Sequence, residues 1–90
     1  MIRIRGVKPL QGFTVWLEFA DDSTKVVDLE PYLHGPILEP LRHDPVLFHS
    51  IRVDAELGTI TWNNGADVDP DVLYYELTPA WMVENLTQQG

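Results

Sequence analysis

One stretch of this chain decides its fold more than any other: Thr61-Trp62-Asn63-Asn64-Gly65-Ala66-Asp67-Val68-Asp69-Pro70-Asp71-Val72-Leu73-Tyr74. Its first two residues end a strand in which apolar and polar residues alternate. The run Asn63-Asn64-Gly65 is typical of a turn, because these residues accept left-handed backbone angles. Asp69 can cap a helix, and Pro70 suits the first helical position. We therefore expect a strand end, a tight turn and a short helix in one unit.

Strand patterns dominate the residues before this stretch. The clearest strand places Trp16 on one face and four residues on the core face, namely Phe13, Val15, Leu17 and Phe19. A strand from about residue 2 to Pro9 and another over residues 24–29 can pair with it. Residues 51–54 and 59–62 form a second hairpin, in which Gly58 takes the positive-φ position of the turn. Four prolines, at positions 31, 36, 40 and 45, restrict the middle to short helices, one starting at Asp44-Pro45.

These elements predict an α+β fold. We expect a small single domain, residues 1–90, in which two antiparallel β-hairpin groups form a sheet with short helices between them. A family-like core covers about residues 2–76, and a C-terminal helix covers about residues 78–87.

The chain has no cysteine, which excludes disulfides, thiolate metal sites and cysteine nucleophiles. No apolar run approaches the roughly 18 residues that span a bilayer, so we expect a cytoplasmic protein and no membrane partner.

The charge is strongly negative and unevenly spread. The formal net charge is −8, and three of the six basic residues lie among the first eight. Residues 9–90 therefore carry three basic and fourteen acidic residues, a net of −11. Such a surface repels phosphate groups, which disfavours nucleic acid as a direct partner, whereas a basic protein is a suitable one.

Three carboxylates at a spacing of two, Asp67, Asp69 and Asp71, resemble the opening of a calcium loop. The rest of that loop is missing, because Val72 stands where glycine is needed and Thr78 where a bidentate glutamate is needed. A helix cap and a turn account for the three aspartates better, while a looser divalent-metal or ligand site over residues 64–71 remains an alternative.

The sequence gives no sign of catalysis. The histidines lack metal-ligand spacing, neither serine lies in a glycine-flanked elbow, and the glycines form no phosphate loop. We expect no enzyme activity, no catalytic residue and no cofactor or metal.

Aromatic residues and spaced carboxylates are the candidates for binding a partner. The set is Trp16, Trp62, Tyr75, Trp81, Asp67 and Asp71. Adjacent tyrosines at positions 74 and 75 cannot both face one core, so one of them is expected to be exposed. Two alternatives hold for Trp16: it belongs to an exposed patch, or the C-terminal helix covers it.

Several segments resemble a known small bacterial family, domain of unknown function 2442. The resemblance covers roughly residues 2–76, and its most specific part is the pattern W-x-N-G-A-D-x-x-P-D-x-L-Y at residues 62–74. Further matching runs are Phe19-Ala20-Asp21-Asp22, Val27-Asp28-Leu29, Leu38-Glu39-Pro40-Leu41, Asp44-Pro45-Val46-Leu47-Phe48 and Ile51-Arg52-Val53-Asp54. Two turns depart from the pattern: Asp22-Ser23 replaces a more usual glycine, and Asn63 stands where proline is common. The resemblance implies an α+β fold with no established activity, and members often encoded beside a second small protein, as in toxin–antitoxin pairs.

The leading hypothesis is a non-enzymatic interaction domain, antitoxin-like, that binds a small basic co-encoded protein. A ligand- or metal-binding domain that uses residues 64–71 is the second hypothesis. Self-association as a homodimer through the edge of the Arg3-bearing strand is the third.

Overall fold

The computed structural model describes residues 1–79, and these form an α+β fold with two antiparallel sheets. The strands are β1 (Ile4–Pro9), β2 (Thr14–Phe19), β3 (Thr24–Asp28), β4 (Arg52–Asp54) and β5 (Thr59–Thr61). The helices are short: α1 (Pro40–His43), α2 (Pro45–Phe48) and α3 (Pro70–Tyr74), with a 3-10 turn at Glu30–Tyr32. The predicted α+β class is confirmed. The predicted C-terminal helix over residues 78–87 lies almost entirely outside the described residues.

The first sheet has the order β1-β2-β3, with β2 at its centre. The alternation in β2 places Val15, Leu17 and Phe19 in the core with almost no exposure, as predicted. Leu17 lies opposite Val7 of β1 and Lys25 of β3. The register of β1 shifts between Ile4 and Gly6, which the alternating pattern of the first strand did not indicate.

The outer face of this sheet carries Trp16. It lies between Lys8 of β1 and Val26 of β3, and its ring packs within 3.5 Å of where a side chain on Gly6 would begin. Because Gly6 has no side chain, the indole can lie against the β1 backbone and is only half-buried.

The second sheet, β4 with β5, packs beside β1 and closes that edge of the first sheet. The Ile4 N–H donates to the Gly58 carbonyl at 2.8 Å, and Arg3 donates to the Ala55 carbonyl. Gly58 has a φ of 71°, which confirms the predicted positive-φ turn. A Cβ there would lie 2.8 Å from the guanidinium carbon of Arg3, so glycine also leaves room for this side chain.

The two short helices in the proline-rich middle of the chain, α1 and α2, cover the core. Asp44 caps α2 by accepting from the Leu47 N–H at 3.1 Å, and Pro45 is in the first turn, both as predicted. Leu41 of α1 and Phe48 of α2 are fully buried. Within residues 1–79, no helix is long and apolar enough to cross a membrane.

Candidate functional site

The stretch from Thr61 to Tyr74 folds as one compact unit. The Gly65 N–H donates to the Trp62 carbonyl, and the Trp62 N–H donates to the Ala66 carbonyl, which closes the predicted turn. The Thr61 hydroxyl donates to the same Ala66 carbonyl at 2.7 Å. The Thr59 hydroxyl reaches the Val68 carbonyl further along. Two buried hydroxyls therefore attach β5 to the chain that leads into α3.

The structure corrects the assignment of Trp62 to a partner-binding surface. Its side chain is only 1% exposed, and its indole N–H donates to the Phe48 carbonyl at 3.0 Å. Alternation along residues 59–62 places Trp62 on the same face as Ile60, which is fully buried, and Thr59 and Thr61 are buried on the other face. Trp62 thus holds α2 against the second sheet and is not available to a partner.

The three spaced carboxylates have separate roles. Asp69 caps α3, since its carboxylate accepts from the Asp71 N–H at 2.9 Å, as predicted. Asp67 is exposed, and its backbone forms an isolated antiparallel bridge with Thr61. Asp71 is exposed in the first turn of α3. In the described part of the chain, no group of three or more His, Asp or Glu side chains is placed to hold a metal ion.

Asp71 and Tyr75 lie on the same side of α3. They are four residues apart, and the Tyr75 N–H donates to the Asp71 carbonyl at 3.0 Å. Tyr75 is 60% exposed, whereas Tyr74 is half-buried, which confirms that only one of the two tyrosines packs inward. The two rings meet edge to face with centroids 5.0 Å apart. An exposed phenol therefore stands one helical turn from an exposed carboxylate.

The turn between β2 and β3 packs against this end of α3. The Tyr74 hydroxyl donates to Asp21 at 2.8 Å, and Lys25 forms an ion pair with Glu76 at 3.2 Å. Hydrogen bonds from Ser23, together with that from Tyr74, lower the pKa of Asp21 to about 2. The Asp21 carboxylate in turn raises the pKa of Tyr74. Sequence reasoning missed this contact, because 53 residues separate its two partners.

Three of the six lysines and arginines in residues 1–79 have acidic partners. Arg5 bridges two carboxylates across the first sheet, and Lys25 and Arg42 each pair with one; these acids are Glu18, Asp22, Glu76 and Glu30. Over residues 1–79, neither Asp67 nor Asp71 forms an ion pair with a lysine or arginine. We call the exposed pair Asp71 and Tyr75 the α3 surface.

The structure brings together two of the six candidates, Asp71 and Tyr75, whereas Asp67 lies before α3 in the segment that pairs with Thr61. Trp16 lies on the outer face of the first sheet, away from the α3 surface, and Trp62 lies in the core. Trp81 lies outside the described residues, as does any segment that could cover Trp16 from the C-terminus.

Comparison with known proteins adds one finding. The model of a family described as a protein of unknown function (DUF2442) matches residues 4–79. No protein with a curated description and no solved structure matches the chain.

Proposed function

The chain belongs to the DUF2442 family of proteins of unknown function, and we propose that it is a non-enzymatic domain that binds a basic protein partner. The α3 surface supports this proposal most directly. It combines an exposed aromatic ring with a carboxylate, that of Asp71, which no lysine or arginine of residues 1–79 neutralises. A lysine or arginine can contact both features at once, because a cation interacts with a carboxylate and with the face of a tyrosine ring.

The charge of the whole chain supports the same kind of partner. At a net charge of −8, the protein attracts a basic surface and repels an acidic one over about 10 Å at moderate salt. The resemblance to the family implies that the partner is a small protein encoded in the neighbouring gene, in an antitoxin-like arrangement. Binding would then neutralise or regulate that protein.

The contacts of two histidines and of Asp21 support a non-enzymatic role. His49 is engaged with the Pro45 carbonyl at 2.7 Å, and His43 lies beside Glu39 on α1. The Asp21 carboxylate has its pKa lowered and is bonded to Ser23 and Tyr74, which makes it a poor base.

The test is binding between the purified protein and the product of the neighbouring gene. The double variant Asp71→Asn with Tyr75→Ala should weaken binding by about tenfold or more, since it removes a charge and an aromatic contact. The matched control is Glu56→Gln, which removes one exposed charge in the β4–β5 turn. The control should change affinity by less than about twofold. Two wild-type proteins that elute separately at micromolar concentration would count against the proposal.

A further inference from the structure

Among residues 1–79, no strand pairs with the outer edge of β3, which we call the free edge. Two hydrogen bonds of the hairpin set the pattern: the Phe19 N–H donates to the Ser23 carbonyl, and the Leu29 N–H donates to the Phe13 carbonyl. In an antiparallel pair, the residues that bond the neighbouring strand alternate with residues that do not. The backbone groups of Thr24, Val26 and Asp28 therefore point away from β2. Across residues 1–79, no backbone hydrogen bond occupies them from the other side.

This edge lacks most of the features that block strand pairing. The strand Thr24–Asp28 contains no proline and no bulge, and its register with β2 is continuous over all five residues. Its one cation, Lys25, points inward and is neutralised by Glu76. Val26, at the centre of the strand, is 61% exposed. The opposite edge of the sheet, by contrast, is closed by β4 and β5 through the Ile4–Gly58 bond.

We infer that this free edge binds an extended segment of the partner as a fourth strand, with lysine or arginine at alternate positions. The inference rests on the proposed function and specifies where and how the partner binds. Three residues of β3 offer backbone donors and acceptors to such a strand, which supply affinity without side-chain specificity. The side chains of β3 determine which partner sequences can bind.

Charge selects a basic segment over a second copy of this chain. Asp28 is exposed on the outer face of β3 and has no lysine or arginine partner within residues 1–79, so a cation opposite it forms a favourable cross-strand pair. The aliphatic part of a neighbouring lysine can cover Val26. Two copies of this chain, each with a net charge of −8, would instead repel each other.

The inner face of the added strand would be apolar. Val27 is 4% exposed and lies on the core face of β3. The segment Glu76–Leu77 runs below the same edge, since Lys25 bonds Glu76 and the Tyr32 hydroxyl donates to the Leu77 carbonyl at 2.8 Å. Leu77 is 48% exposed, so an apolar residue of the partner strand would meet its side chain there, beside the Lys25–Glu76 ion pair. The recognised sequence is thus a strand with cationic residues on one side and apolar residues on the other.

The experiment uses a short peptide that alternates lysine and valine, added to the isotope-labelled protein at low ionic strength. The amide N–H groups of Thr24, Val26 and Asp28 should shift in NMR spectra and exchange more slowly with solvent when the peptide binds. The same peptide with alternate backbone amides methylated keeps its charge but cannot pair as a strand. It should bind about tenfold more weakly.

Two variants of the protein separate edge pairing from general attraction. Val26→Pro removes the outward N–H without removing a bond to β2, whereas Val26→Ala removes the same side chain and keeps the N–H. The proline variant should lose about tenfold in affinity relative to the alanine variant. Far-UV circular dichroism and the melting temperature of both variants report whether the sheet is intact.

Each remaining outcome refutes a defined part of the account. Equal affinity of the two variants, or shifts confined to Asp71 and Tyr75, would overturn the edge inference and leave the proposed function standing. Absence of any binding would count against both. A dimer in light scattering that Val26→Pro dissociates would show that the edge takes a second copy instead of a basic strand.

Discussion

Replacement of Trp62 by phenylalanine should destabilise the protein by about 3 kcal/mol, and the cost follows from two contacts. The lost indole N–H bond costs only about 1 kcal/mol, because the Phe48 carbonyl still accepts from the Ile51 N–H at 3.2 Å. Removing the five-membered ring from a 1% exposed side chain takes away roughly two carbons of packing, about 0.8 kcal/mol each, and leaves a small void. Since domains of this size have roughly 5–15 kcal/mol of stability, the variant should still fold.

The matched control for this prediction is Trp16→Phe. Trp16 is half-buried on the outer sheet face, and its indole N–H has no hydrogen-bond partner among residues 1–79. This change should cost about 1 kcal/mol or less. Urea unfolding followed by far-UV circular dichroism measures both, and a difference in free energy of unfolding below about 1 kcal/mol would refute the structural role of Trp62.

Three further changes test separate parts of the structure. Asp69→Ala removes the α3 cap and should lower the free energy of unfolding by about 1 kcal/mol in urea titration; no change would show that the cap is dispensable. Gly58→Ala should cost about 2 kcal/mol and Gly65→Ala about 1 kcal/mol, because both have positive φ but only Gly58 is crowded by a guanidinium; equal costs would contradict this. Ser23→Ala should raise the pKa of Asp21 from about 2 towards 3.8 in an NMR titration, and an unchanged value would reject Ser23 as the main cause. Because this pKa is depressed on folding, the associated stability is present above pH 3.8 and is lost as pH falls towards 2.

Local patterns in the sequence were sufficient where one short segment determines the structure. The alternation of β2 identified its buried face, and Asp44 and Asp69 were correctly predicted as helix caps. The positive φ of Gly58 followed from its place in a hairpin turn. Each of these features depends on residues that are neighbours along the chain, so no tertiary information was needed.

Features that depend on distant contacts could not be predicted. Trp62 was a candidate for partner binding because aromatic residues are enriched in binding surfaces, but its ring is buried and its indole N–H is bonded to the Phe48 carbonyl of α2. The contact between Asp21 and Tyr74 joins the first hairpin to α3, and nothing in either segment indicates the other. For the α3 surface, the sequence indicates only that Asp71 and Tyr75 are four residues apart, a spacing that places two residues on one side of a helix.

The unit that closes β5 onto α3 therefore has a structural explanation for most of its residues. Thr61 and Trp62 direct their polar groups inward, and Asp69 caps the helix. Only Asp67 and Asp71 are left exposed without such a role in their side chains. Residues 61–74, which best identify the family, therefore mainly stabilise the fold. The α3 surface lies at the C-terminal end of this segment.

The most direct measurement of the central claim is the affinity for the neighbouring gene product at two salt concentrations. If carboxylates without a cationic partner bind a basic protein, the affinity should fall by about tenfold or more between about 0.05 M and 0.5 M salt, because salt shortens the distance over which charges attract. Isothermal titration calorimetry gives both dissociation constants. An affinity that is unchanged or stronger at high salt would contradict an interaction carried by the acidic surface.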